Sequence, residues 1–372
     1  MKRVVAISNK ELKSFIDFPH DLYAHDSNYV PELFIAQRDL LTPGKHPFHE
    51  HSQMQLFLAY NNKKIVGRIA AILNNNHNRF NDANDGFFGF FDCVDDADIS
   101  NMLFNHAEEW LKSKGVSTII GPVNFSTNET CGLLIDGFDS PPFAMMAYNK
   151  AYYKTLVDVK GFSKKVDLIA YRFGDVGYDD KSVKVKDTFI RRLESKGISI
   201  RPVDKRNFDK EVAGIREVYN KAWGKNLGFV PMTDKEFDYL AKDVKLVLDT
   251  DFCMVAEKDG NVVGFALAIP DINQILINVR RGRLLPLGLL KLLFGRKKIN
   301  GVRIIALGVV EGYRKLGIEA CFYGNIIEAY RKKKYKQAEA SWILEHNDLM
   351  NRGIQNIKGD PYKRYRIFEK AL

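Results

Sequence analysis

Between Gln55 and Leu73 the apolar residues fall into two runs, "QLFLAY" and "IVGRIAAIL", separated by the polar turn Asn61–Lys64. Two short apolar runs around such a turn predict a β-hairpin. The same form returns in the second half of the chain as "FCMVAEKDGNVVGFALAIP" (Phe252–Pro270), with its turn at Asp259-Gly260-Asn261. Both second strands carry an early glycine, Gly67 and Gly264. Next comes a strand, "GFFGFFDCV" (Gly86–Val94), then "ISNMLFNHAEEWLKSKG", whose apolar residues recur at helical spacing and whose stop is Gly115. The strand "STIIGPV" follows. Its counterparts in the second half are the strand "VRIIALGVV" (Val302–Val310), the helix "IEACFYGNIIEAYRKKK" and the strand "AEASWILEH". Each half therefore predicts hairpin, strand, helix, strand, helix, strand. The polar, Gly-containing stretch Phe173–Lys186 separates them. This pattern predicts two α/β domains built on mixed sheets, residues 1–175 and 176–372.

Length agrees with that division, since 372 residues exceed one ordinary core and suit two domains of about 150–200 residues. No segment reaches the roughly 18 uninterrupted apolar residues of a membrane span. The start "MKRVVAISNKEL" has no apolar core of a signal peptide. Cys93, Cys131, Cys253 and Cys321 are far apart and form no C-x-x-C pair, so a reduced, cytoplasmic setting is expected, with the thiols as small apolar fillers. Charge is uneven. Residues 1–175 hold 18 Lys+Arg and 21 Asp+Glu, and the remaining 38 and 25 of the 56 and 46 lie beyond them. The basic second half calls for an anionic partner: a phosphorylated cofactor, a membrane surface or nucleic acid.

The stretch "EGYRKLGIEACFY" (Glu311–Tyr323) leaves a strand and opens a helix. Amides at a helix start are unpaired, and the helix dipole favours an anion there. Backbone from Leu316 to Ala320, including Ile318, could hold a diphosphate, with Gly317 allowing close approach and Arg314 and Lys315 supplying charge. Glu319 opposes this unless it points away within the first helical turn. A plain helix start is the alternative. Cys321 just beyond reads as a packing residue, although a thiol near a helix N-terminus can be activated. In the first half the equivalent stretch, "CVDDADISN", is acidic and would reject phosphate, and Asp98 is its candidate N-cap.

Other segments carry two readings each. "HPFHEH" (His46–His51) gathers three His, but its spacing matches no standard zinc pattern, so a loop entering a strand is expected and no metal is assigned. The long loop Gly121–Pro142 either lines a pocket with Asn124, Ser126, Asn128 and Glu129 or satisfies itself at the surface. Tyr152 and Tyr153 face either a cleft or the core, with core packing the expected reading. "VYNKAWGKNLGFVPMT" (Val218–Thr233), with Trp223, is an acceptor-side wall or a helix end. In "ASWILEHND" strand alternation puts Trp342, Leu344 and His346 on one side and Ser341, Ile343, Glu345 and Asn347 on the other. Glu345 is the preferred general base, through a raised pKa at a strand's end, and His346 the second choice; a solvent-facing Glu345 is the alternative. "VRRGRLLPLGLLKLLFGRKK" (Val279–Lys298) sets leucines between basic clusters. It suits a helix lying on an anionic membrane, or a core helix with solvated ends. Basic and aromatic residues do not interleave, which argues against nucleic acid.

The element order, used twice, resembles the GNAT acyltransferase fold. GNAT proteins bind acyl-CoA through a Q/R-x-x-G-x-G/A loop. Arg314 and Gly317 match it, while Glu319 departs from it and Lys315 stands where many members have another Gly. The combination of "PFHEH", "VGRIAAI", "GFFGFFD", "GPVNFSTNE", "GFDSPP", "NKAW", "GFVPMT", "SWILEHN" and "YKRYRIFEK" resembles the YghO-type two-domain GNAT-like bacterial proteins, from about Asp26 to the C-terminus. Bacterial ceramide synthase is similar to that group. The resemblance implies an N-acyltransferase using acyl-CoA or acetyl-CoA, without metal, on a long-chain sphingoid-type amine. It implies contacts from Leu307, Val309 and Asn347 to the cofactor. Strand amides of Leu307–Val310 would polarise the thioester carbonyl. GNAT members often place a Tyr acid on the helix after the last parallel strand. Ile354 stands at that point here, which leaves Tyr362 and Tyr365 as the nearest candidates. Three alternatives stay open: a small-amine N-acetyltransferase, a tRNA-dependent aminoacyl or peptidyl transferase, and a non-catalytic acyl-CoA-binding protein.

Overall fold

The computed structural model describes residues 1–174, 180–224 and 228–372, with side chains except at 180–184 and 223. Residues 175–179 of the expected separator lie outside the described residues. The first half runs β1 (Lys2–Ala6), α1 (Leu12–Leu22), α2 (Phe34–Leu41), β2 (Gln53–Asn61), β3 (Lys64–Leu73), α3 (Asn75–Asn81), β4 (Asp85–Cys93), α4 (Ala97–Ser113), β5 (Thr118–Gly121), β6 (Leu133–Asp136), α5 (Tyr153–Val159) and β7 (Ser163–Phe173). The second half runs α6 (Asp180–Glu194), β8 (Ile198–Pro202), α7 (Phe208–Trp223), α8 (Asp234–Val247), β9 (Cys253–Lys258), β10 (Asn261–Pro270), α9 (Asn273–Leu276), α10 (Gly288–Gly295), β11 (Gly301–Val309), α11 (Ile318–Lys332), β12 (Gln337–Leu344), α12 (Asp348–Asn356) and β13 (Asp360–Ala371). The repeated order expected from the sequence is therefore present, with β1 and β8 added ahead of the hairpins and β6 inside the long loop.

Both halves share one sheet, in the order β1-β2-β3-β4-β5-β13-β7-β12-β11-β10-β9-β8, with β6 pairing β13 off this path. The two last strands are exchanged. β13, from the second half, lies between β5 and β7, while β7, from the first, pairs with β12. β13 and β7 run antiparallel with Tyr365 opposite Leu168. The sheet is covered on both faces, so its strands read as near-continuous apolar runs; β4 is buried along almost its whole length. Side chains still alternate: along β10, Ala266 and Ala268 join the core under α11, and Phe265 and Ile269 join the core under α7 and α8.

Helix starts follow local chemistry. Asp96, not Asp98, caps α4, accepting from the amides of Asp98 and Ile99. Thr233 and Glu236 form a capping box on α8. Tyr153 is fully buried, and its hydroxyl donates to Asp92, which also pairs with Arg68 at 2.8 Å.

Each half contains one parallel strand pair that opens after a few residues. β4 pairs β5 only over Asp85–Phe87, and β11 pairs β12 only over Gly301–Ile304. In the first half the gap is filled by its own loop: the Val123 amide donates to Phe88 O, and the Phe90 amide to Asn124 Oδ1. Asn124 is thereby committed to closing the gap rather than to a pocket. In the second half, β11 continues from Ile305 to Val309 with no ladder partner on its β12 side among the described residues.

Candidate functional site

Beside the open edge of β11 lies a cavity of about 250 Å³ that draws its walls from both halves. Phe87, Ile120 and Leu168 come from the first half, and Phe237, Phe265 and Trp342 from the second. Such a pocket, apolar with few polar groups, is the form that small-molecule sites take. One wall is the loop 123–131. It is stitched to the second half by Thr127 Oγ1 donating to Gly228 O (2.9 Å), Asn128 Nδ2 to Val230 O (3.0 Å), and Tyr219 OH to Asn128 Oδ1 (2.6 Å). Asn128 and Glu129 both line the cavity, so the pocket reading of this loop applies to them.

Glu129 is the chemically distinctive group. Its carboxyl is pushed up to about 8, first by burial and then by the fields of Glu236, Asp243 and Glu32. His46, 4% exposed, brings Nε2 to 3.8 Å from Glu129 Oε1. Burial lowers the His46 pKa to about 4, so the ring is neutral. Its Nδ1 accepts the Phe48 amide at 3.2 Å, which leaves the ring proton on Nε2, facing the carboxyl group. The sequence signal for this pair was faint: Glu129 is the one acid between Glu109 and Asp136, and His46 is 83 positions away. The other two histidines of that cluster are engaged elsewhere, His49 with Leu40 O and His51 with Glu236 at 3.0 Å. Among the described residues, no group of three or more His, Cys, Asp or Glu is placed to hold a metal.

The cavity wall at β11 is set by a buried polar network that sequence reasoning missed. Arg303 (2% exposed) lies 3.6 Å from Glu339 (0%), donates to Ser341 Oγ at 2.9 Å and Ala144 O at 2.8 Å, and sits over the Trp342 ring. Glu339 also accepts from Ser341 Oγ at 2.6 Å and from Tyr362 OH. Burial raises the Glu339 pKa and lowers that of Arg303. The available signal was a lone Arg in the otherwise apolar β11 and a lone charged residue, Glu339, in β12.

The candidate bases Glu345 and His346 and the candidate acid Tyr365 lie in different surroundings. Glu345 does not have the raised pKa expected of a base. Burial pushes it up, but the Lys164 ammonium at 2.7 Å and the Asp167 amide at 2.9 Å outweigh burial and hold it below its ordinary value. His346 is exposed in the turn after β12. Tyr365 is fully buried in the core; burial holds its pKa well above the ordinary value, and its hydroxyl has no hydrogen-bond partner among the described residues. Trp342 and Leu344 face the cavity and Ile343 the opposite core, as alternation predicts, but a bulge between Ala340 and Ile343 separates Ser341 from Ile343 and turns the Ser341 hydroxyl to Arg303 and Glu339. Asn347 is exposed, and its Oδ1 is engaged as the N-cap of α12, accepting from Met350 N. The Trp223 side chain lies outside the described residues.

The loop at α11 has the backbone expected of an anion cradle. Lys315 (φ +64) and Gly317 (φ +99) are left-handed, and Gly317 is the N-cap with no side chain capping the helix. Among the described residues, the amides of Ile318, Glu319 and Ala320 have no hydrogen-bond partner. Lys315 is exposed; Arg314 ties the loop down by donating to Val309 O and Ala222 O. Ile318 is fully buried, so only its backbone can serve a ligand. Val309 is buried and Leu307 half-buried in the core under α11. Cys321 is buried, which pushes its thiol up to about 11, so an activated thiol is not found. A Cβ on Gly317 would stand 2.2 Å from Phe189 Cδ1. Gly317→Ala should therefore cost about 1–3 kcal/mol, read by urea unfolding, through left-handed strain and displacement of Phe189.

No known family model matches the chain. Protein YghO of Escherichia coli (strain K12) is 36% identical over 375 residues, covering 98% of this chain and 94% of the relative. Bacterial ceramide synthase of Caulobacter vibrioides (strain NA1000 / CB15N) is 36% identical over 370 residues, covering 97% and 95%. Among solved structures, a tandem GNAT protein from the clavulanic acid biosynthesis pathway aligns over 100% of this chain and 98% of its own, with TM-score 0.58 and 11% identity. A GCN5-related N-acetyltransferase from Sphaerobacter thermophilus aligns over 100% and 95%, with TM-score 0.54 and 11% identity. Near full-length likeness to the first two places the chain in the family that includes Protein YghO and bacterial ceramide synthase, and the solved structures show that it has the tandem GNAT fold.

Proposed function

We propose that the protein transfers an acyl group from acyl-CoA to the nitrogen of a long-chain amine, within the cavity between its halves. The observation that carries this reading is the position of Glu129, a carboxyl with its pKa near 8 inside an apolar chamber bordered by the unpaired edge of β11. An amine with a long apolar chain matches such a lining, and the ceramide synthase relative bears a name of the same chemistry.

The open amides of Ile318–Ala320, with Lys315 beside them, suit the diphosphate of the acyl donor. Glu129, as the carboxylate faced by His46 Nε2–H, takes a proton from the acceptor amine and becomes neutral. The amine nitrogen then forms its bond to the thioester carbonyl carbon, whose oxygen would be met by free β11 amides. The C–S bond breaks, and the thiolate leaves with the proton. Tight placement of the two reactants supplies much of the acceleration.

The test uses purified protein with palmitoyl-CoA or acetyl-CoA, each with sphinganine or a short polar amine. Thiol release and amide product are followed by colorimetry and mass spectrometry. Turnover that requires both the long acyl chain and sphinganine is expected. Release of thiol only with acetyl-CoA and the short amine would replace this reading with a small-amine acetyltransferase.

A further inference from the structure

Helix α10 is inverted relative to an ordinary surface helix. It rests on the protein through its glycines: a Cβ on Gly288 would stand 2.2 Å from Arg283 O, and one on Gly295 would stand 3.0 Å from Ile275. Only Leu292 of its leucines packs inward, against the small cluster of Val30, Leu276 and Val279. The others face water. Leu285, Leu287, Leu289, Leu290, Leu293 and Phe294 are 43–77% exposed, and they make up six of the fourteen exposed large apolar side chains among the described residues. So dense a cluster within ten positions is not the ordinary scatter of apolar surface. Leu246, 70% exposed, joins it from the end of α8, where Leu246 O accepts from Arg296.

Along the patch's own segment the charge has one sign. From Ile272 to Val310 there is no Asp or Glu, against eight Lys and Arg. Arg281 and Arg283 pair with Asp17 and Asp21 of α1, and Arg303 is buried. The remaining five, Arg280, Lys291, Arg296, Lys297 and Lys298, are exposed and form no ion pair with an acid among the described residues. An apolar face whose flanking charges outside ion pairs are all cations repels a second copy of itself and complements an anionic lipid surface. No helix among the described residues is long and apolar enough to cross a membrane.

We infer that α10 and its flanks are a docking surface for the anionic face of a lipid bilayer, with the leucines entering the headgroup boundary and the five cations meeting lipid phosphates. The geometry also couples this surface to the cavity. Leu240 of α8 lines the cavity and Leu246 sits on the patch, six residues or about 9 Å along the same helix.

The experiment is co-sedimentation with vesicles of phosphatidylcholine alone and of phosphatidylcholine with phosphatidylglycerol in equal parts. Two variants are compared with the wild type: Leu290→Ser/Leu293→Ser/Phe294→Ser, and Arg296→Gln/Lys297→Gln/Lys298→Gln. Wild type should sediment with the mixed vesicles and far less with the neutral ones. Each variant should lose binding by roughly tenfold or more, with an unchanged melting temperature because these side chains are exposed. Equal partitioning onto both lipids, or variants that bind as the wild type does, would overturn the inference. So would a lipid-free dimer, seen by analytical ultracentrifugation, that the leucine variant dissolves, since the patch would then belong to a second copy. These outcomes do not depend on acyl transfer, so failure here leaves the proposed reaction standing.

Discussion

Glu129→Gln is expected to reduce kcat by roughly 10²–10⁴-fold, the usual contribution of a positioned general base. The wild-type rate should rise with pH through an apparent pKa of about 8 and level off above it, because only the carboxylate accepts a proton. The amide variant should lack that limb. Stability should move the other way. Glu129 has a folded pKa near 8, above its ordinary value of 4.5, so folding favours the protonated form. The stability this confers is full below about pH 4.5 and is lost as pH rises towards 8. An uncharged amide at this position would carry no such loss, so the inactive Glu129→Gln protein should melt above the wild type at pH 9 and not at pH 4. Glu345→Gln is the contrasting case. Glu345 is held ionised by Lys164 and the Asp167 amide, outside the cavity lining, and its loss should leave kcat within a few-fold of wild type. If Glu345→Gln abolishes turnover and Glu129→Gln does not, the base has been misassigned.

Arg303→Met should lower the free energy of unfolding by about 3–5 kcal/mol, measured by urea denaturation. The penalty arises because Glu339, fully buried, would keep its charge or its proton with no cation 3.6 Å away. Adding Glu339→Gln should restore a large part of the loss: it removes the charge but keeps an acceptor for the Ser341 or Tyr362 hydroxyl. Additive losses in the double variant would mean that the two side chains act separately.

What could be read from the chain was local. Hairpins, the apolar stripe of α4 and the strand–loop–helix at Gly317 all follow from spacing within twenty residues, and each is where the pattern put it. The left-handed backbone at Gly317 was legible for the same reason, since Gly at a helix start has a conformational cause. The base was not. Glu345 looked poised because it ends a strand next to the expected thioester, but its neighbour Lys164 comes from β7, far away in sequence. Glu129 sits in an irregular loop, and its environment is made by α8 and by His46 from another segment. A bulge in β12 also turned Ser341 away from the side shared with Ile343, and alternation alone does not foresee bulges.

The exchange of β7 and β13 bears on how the polypeptide emerges from the ribosome. β5 has no permanent neighbour on its outer edge until residues 360–371 have been synthesised, so the first half stays incomplete through translation of the second. A nascent chain of this design exposes β5 and β7 for most of its synthesis, and maturation waits on its final dozen residues. Stalling or truncation just before Asp360 would thus release a species with two bare edges, suited to chaperone capture or to mispairing with a sister molecule.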